Sequence, residues 1–165
     1  MTCPHEETTL SGHHLGRAAI AFLLSLPLLT GCSIDKGTAL AEDFEQDWSG
    51  TPDVESVQTT HDNTLPFTGT ATGTLTLPET IPADRVTATA SRLRRYVSKH
   101  GSVTGRIQIG TITFTVPAEQ ERLTQVLALW RSLSADERQS RTDIAETSGN
   151  GGARWAVEST AVDPA

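Results

Sequence analysis

Phe67-Thr68-Gly69-Thr70-Ala71-Thr72-Gly73-Thr74-Leu75-Thr76-Leu77 alternates without a break. Every even-numbered position is threonine. The odd-numbered positions are Phe67, Ala71, Leu75 and Leu77, with Gly69 and Gly73 between them. A period of two belongs to a strand, whose successive side chains point to opposite faces. β-Branched threonines suit the wetter face, so the stretch predicts a half-buried strand over a core on one side. A threonine row is also compatible with a glycosylated tract or an ice-like binding surface; solvent-facing strand chemistry accounts for it more simply.

Gly73-Thr74-Leu75-Thr76-Leu77 has a counterpart in Gly110-Thr111-Ile112-Thr113-Phe114. Each is followed by a Pro-Ala pair, Pro82-Ala83 and Pro117-Ala118, and then by helical periodicity. Val86, Ala90, Leu93 and Val97 form one helical stripe, closed by His100-Gly101 with the glycine as cap. Leu123, Val126, Leu127, Trp130 and Leu133 form another. Between them the apolar parity changes at Gly110, from Val103, Ile107 and Ile109 to Ile112, Phe114 and Val116, which predicts a tight hairpin. Two β-β-α units follow, Val54–Lys99 and Val103–Leu133. A helix over Thr38–Trp48, with Leu40, Phe44 and Trp48 on one face, precedes them. Val54–Thr60 reads as a strand, His61–Pro66 as a polar loop, and Ile144 with Trp155 and Val157 as a last hairpin around Gly149–Gly152. The expected fold is α+β: a two-layer sandwich of two β-β-α repeats with an antiparallel sheet, preceded by one helix. In outline this order is similar to the BON domain of bacterial envelopes and to ferredoxin-like sandwiches, neither of which fixes a function.

The strongest apolar run lies elsewhere, at Ala18–Leu29. It is too short to span a bilayer, which takes about 20 residues, but it suits the apolar region of a secretory signal. Arg17 precedes it, and Leu29-Thr30-Gly31-Cys32 follows. This tetrapeptide resembles the lipobox of bacterial lipoproteins. The resemblance implies a signal peptide over 1–31, cleaved before Cys32, and a diacylglycerol on the Cys32 sulfur. Residues 32–37 are then the lipidated cysteine and tether, and 38–165 an extracytoplasmic domain. Two or three acyl chains anchor a protein stably where one does not. The implied location is the outer face of the plasma membrane. The excess of arginine over lysine fits a high-GC Gram-positive envelope. The leading segment Met1–Gly16 is long for a signal and carries Glu6 and Glu7, so an ordinary secretory peptide stands as the alternative.

The chemistry is sparse. A net charge of −7, from 20 acidic and 13 basic side chains, argues against nucleic acid as the partner. Cys32 and Cys3 are the only cysteines; with Cys32 lipidated and Cys3 removed, neither a disulfide nor thiol catalysis is expected. No cofactor is expected, and no metal: His61-Asp62 in its loop and His100 at a helix end supply too few ligands. Ser33-Ile34-Asp35-Lys36 matches the Ser-x-x-Lys spacing of penicillin-binding enzymes but lacks their companion motifs. No Gly-x-Ser-x-Gly or phosphate-binding glycine loop occurs. No residue is assigned a catalytic role. One charge feature remains: Arg85, Arg92, Arg94, Arg95 and Lys99 crowd a single helix of an acidic chain. Arg85, Arg92, Arg95 and Lys99 fall on related turns and form the candidate contact surface, for lipid headgroups, an anionic polymer or an envelope protein. The polar stretch His61–Asn63 is a second candidate. The function expected is a membrane-anchored, non-catalytic interaction or ligand-binding domain. A carboxylate-based hydrolase of envelope polymer and an assembly subunit are the alternatives.

Overall fold

Among the described residues three helices and six strands follow the apolar periodicities. In the computed structural model α1 covers Lys36–Trp48, β1 Ser56–Leu65, β2 Thr68–Leu77 and α2 Ala83–Lys99. β3 covers Val103–Ile109, β4 Ile112–Val116, α3 Gln120–Ser134, β5 Arg141–Gly149 and β6 Gly152–Thr160. The structure describes residues 35–65, 68–135, 141–149 and 152–160. These belong to the second of the chain's two units, Cys32–Ala165. The first unit, Met1–Gly31, lies outside the described residues, as do Cys32, Ser33 and Phe67.

The strands form one sheet in chain order, β1-β2-β3-β4-β5-β6. On β2, Ala71, Gly73, Leu75 and Leu77 are buried and the threonines between them are not. Val103, Ile107, Ile109, Ile112, Phe114, Val116 and Ile144 continue this buried face across the sheet. All three helices pack there. Phe44 of α1 lies over Gly73, Leu93 of α2 over Gly105, and Trp130 of α3 meets Phe114 at a ring separation of 6.3 Å. The α+β, two-layer expectation holds.

The sheet is mixed rather than antiparallel. Each hairpin is antiparallel, but β2 pairs parallel with β3 and β4 parallel with β5. The cause is helix length. The 17 residues of α2 span about 25 Å at roughly 1.5 Å each, enough to return the chain along β2. β3 therefore starts at the same end as β2 and runs the same way, as a strand–helix–strand crossover requires.

Three local expectations change as well. β1 continues to Leu65, so His61, Asp62 and Asn63 lie in a strand and not in a loop. His61 pairs with Ala71 and Asp62 with Thr70; cross-strand backbone bonding outweighs the low strand propensity of Asp and Asn. α2 ends on His100, whose N–H donates to the Tyr96 carbonyl at 2.9 Å, and Gly101 keeps a negative φ instead of the left-handed cap. The two Gly-Thr motifs also occupy different places. Gly73 is inside β2, whereas Gly110 opens the β3–β4 turn with φ 55°. A glycine at the first central position of a two-residue hairpin loop, followed by a residue of negative φ, fits a type II′ turn.

Gly73 is glycine for another reason. A Cβ there would collide with the Phe44 ring. Bare backbone at this point lets α1 settle onto β2 with Phe44 and Trp48 fully covered. Gly73→Ala should therefore lower stability by about 1–3 kcal/mol through overpacking. Thr72→Ala, on the opposite face, should stay within about 0.5 kcal/mol. Urea unfolding midpoints of the two variants check the contrast.

Candidate functional site

The basic stripe of α2 points away from the sheet. Val86, Ala90 and Leu93 are buried on the core side, whereas Arg85, Arg92, Arg95 and Lys99 are exposed. The fold divides these four into two pairs. Arg85 is engaged: its Nε and Nη2 donate to Asp53 Oδ2 at 2.9 and 2.5 Å. Asp53 sits in the turn after α1 at φ 67°. Arg92 is also held, its guanidinium stacked 4.6 Å from the centre of the Trp48 ring, a cation–π contact. Arg95 and Lys99 form no ion pair among the described residues. With Asp47, Trp48, Arg92 and Tyr96 they line an open hollow of about 350 Å³. Arg94 leaves the stripe, donating through Nη1 to the Ala118 carbonyl at 3.2 Å.

Tyr96 lines this hollow. Its ring meets Phe44 edge-on at 5.4 Å and stacks on His100 at 4.4 Å. Burial pushes the phenol's pKa above its ordinary value of 10.0, and the carboxylates of Asp47 and Asp43 add to the rise. The acidic α1 thus flanks the basic α2 and moderates its field. The structure also reassigns the polar stretch on β1. Asn63 ties the first turn of α1 to the sheet: its Oδ1 accepts the Gly37 N–H at 2.8 Å and its Nδ2 donates to Thr38 Oγ1 at 3.1 Å. This satisfies an amide that a helix start leaves open. His61 and Asp62 remain exposed on the edge strand. Lys36 begins α1, with Nζ 3.4 Å from Ser102 Oγ. Leu29, Thr30, Gly31 and Cys32 lie outside the described residues. Among the described residues no three His, Cys, Asp or Glu side chains converge as a metal site.

A second surface escaped the sequence reading. Among the described residues no helix covers the other face of the sheet, and its centre is a shallow dish of about 390 Å³. Arg106 of β3 reaches across β4 to form an ion pair with Asp143 of β5. Thr74 stands beside Arg106 and Glu158 beside Asp143 in the strand register. Gln58, Gln108 and Arg141 add to the polar lining, with Thr113, Thr142 and Thr160. Arg106 Nε and Asp143 Oδ1 have no hydrogen-bond partner among the described residues, so each retains bonding capacity beneath the dish. The lining holds two arginines and two carboxylates and no aromatic ring. It suits ligands that offer hydrogen bonds and charge rather than a stacking surface. The signal was present in the polar, even-numbered positions Thr104, Arg106 and Gln108. Only the register placed them beside the threonines of β2.

No protein-family model, no curated protein and no solved structure matches this chain.

Tyr96 is the single tyrosine of the chain, so tyrosinate absorbance reports it alone. In the native protein it should appear only above the pH at which the urea-unfolded chain ionises. Between those two values the native state holds a proton the unfolded state has lost, so stability falls as pH rises above about 10. Asp47→Asn should move the native transition downward, because it removes one of the charges that raise it.

Proposed function

We propose that the chain is a lipid-anchored extracytoplasmic interaction module, held by Cys32 on the outer face of the plasma membrane, with the open sheet face as its contact surface. The observation that carries this reading is the one-sided placement of the helices. They cover one sheet face and, among the described residues, leave the other as a largely polar surface with a dish at its centre. Four residue steps separate Cys32 from Lys36, a reach of about 14 Å at most. Such a tether keeps the start of α1, and hence the helix layer, near the headgroups. The open face is then directed outward. Arg95 and Lys99, on the outer side of the helix layer, face anionic headgroups in that orientation, where each basic residue adds about 1 kcal/mol. The partner class favoured by the dish is a polar protein segment or an anionic envelope polymer.

The order helix–strand–strand occurs three times among the described residues. With the recurrence of Pro82-Ala83 and Pro117-Ala118 before α2 and α3 it supports an origin by duplication of such a unit, although the two Gly-Thr motifs fall at different places in their strands.

The test is chemical. The N-terminal peptide from native membranes should begin at Cys32 and carry a diacylglyceryl mass on that residue. Cys32→Ser should leave the membrane fraction. A chain that begins at Met1, unacylated and cytosolic, overturns the proposal.

One observation favours a second reading, a carboxylate hydrolase of envelope glycan. Asp143 and Glu158 face each other across β5 and β6 in the dish. This reading expects release of reducing ends from envelope glycan and its loss in Glu158→Gln. Unchanged glycan on prolonged incubation removes it.

A further inference from the structure

We propose that β6 pairs with β6 of a second copy of this chain, antiparallel and centred on Ala156, joining two sheets edge to edge. Among the described residues β6 is the last strand of the sheet, and no other described strand pairs with its outer edge, which leaves backbone donors and acceptors there for a further strand. The two edges of the sheet differ. β1 is interrupted by a register shift between Asp62 and Leu65, a device that discourages edge pairing. β6 pairs with β5 in unbroken register from Gly152 to Thr160 and contains neither proline nor lysine.

The sequence of this edge is complementary to itself. If the helices of both copies stay on one side of the joined sheet, the two-fold axis is perpendicular to it and a residue must sit opposite itself. With Ala156 at the axis, Arg154 faces Glu158 of the second copy, and Glu158 faces Arg154. Both pairs lie on the open face, since these residues share that face with Ala156. On the helix side Trp155 faces Val157, and Val157 faces Trp155. Centring on Trp155 or on Val157 sets Arg154 and Glu158 against other residues and loses both charge pairs. Opposite charges and aromatic–β-branched pairs are the cross-strand combinations that stabilise antiparallel strands.

Burial points the same way. At 42% exposure Val157 is the one large hydrophobic side chain left open among the described residues, and this pairing covers it. Trp155 is already held for the purpose. The Arg122 guanidinium stacks 4.7 Å from its ring centre, and its Nε1 donates to Gln125 Oε1 at 3.3 Å. Arg122 is fixed in turn by an ion pair with Glu146 at 2.7 Å. The interface is isologous, with the same patch on both copies, and closes as a dimer. The pairing does not rest on the lipid anchor. It is compatible with it, because an axis perpendicular to the sheet leaves both helix layers, and both Cys32 tethers, on the same side.

The experiment uses the full chain in intact cells, wherever it resides. Ala156→Cys places two thiols opposite each other at the axis. Directly opposed strand residues have Cα atoms about 4.5–5.5 Å apart, within disulfide range. Mild oxidation should convert most of the chain to a reducible dimer that the parent chain does not form. In the Ala156→Cys background, Arg154→Glu or Glu158→Arg alone sets like charges against each other and should cut cross-linking at least fivefold. Arg154→Glu with Glu158→Arg in one chain should restore it. Co-expression of the two single reversals should restore it too, as a heterodimer with both charge pairs complementary. Tryptophan emission of each variant checks that it has folded. A folded Ala156→Cys chain that stays monomeric, or a dimer indifferent to both reversals, overturns the pairing. Mass analysis of the N-terminal peptide in the same samples reports the anchor separately, so the two proposals fail independently.

Discussion

The described structure depends on the burial of one face of a mixed sheet under its three helices. Alternation along β2, β3 and β4 divides each strand into an apolar and a polar half, and all the apolar halves coincide once the strands are in register. A one-residue slip of any strand would turn its leucines and isoleucines into water, so this register is strongly specified. The helices follow from it. Each has a single apolar stripe and one surface on which to bury it. Phe44, Leu93 and Trp130 are the points at which α1, α2 and α3 meet the strands. Glycines at Gly73 and Gly105 bring the first two close, because the space a Cβ would occupy is filled by a phenylalanine ring or a leucine.

Electrostatics are arranged by neighbourhood rather than by net charge. The acidic α1 lies beside the basic α2, and the turn between α1 and β1 supplies Asp53 for Arg85. Arg92 is spread over Trp48, and Tyr96 is left between two carboxylates and a buried ring cluster. A helix carrying five bases in an acidic chain is therefore not a free cationic surface. Two of its cations are fixed by the fold, Arg94 turns toward the start of α3, and Arg95 and Lys99 keep their charge available.

The polar face has a different logic. Nothing in the core requires Arg106 to reach Asp143, and a partly exposed ion pair of this kind contributes little to stability. Its effect is to set a fixed pattern of charge and hydrogen-bonding groups in the middle of a threonine-rich surface. The far edge of the same sheet carries Arg154 and Glu158, so the strand that ends the sheet also bears the charges that allow it to continue in a second copy.

Some of this was determined by the residues alone. The alternation from Ala71 to Leu77, the parity change at Gly110 and the stripes of α1, α2 and α3 fix the elements and the two-layer character, because period two and period 3.6 are local consequences of backbone geometry. The lipobox resemblance at Leu29–Cys32 likewise needs no fold. Strand direction was not legible, since it depends on where a crossover helix delivers the chain; this is why the sheet is mixed. The strand at His61–Asn63 was hidden because its support comes from β2, 10 residues or fewer away across a hairpin, and from α1, which Asn63 anchors at Gly37 and Thr38. The dish was hidden for the same reason. Gln58, Thr74, Arg106, Asp143 and Glu158 are spread over five strands, and only tertiary register, which no local pattern encodes, sets them side by side.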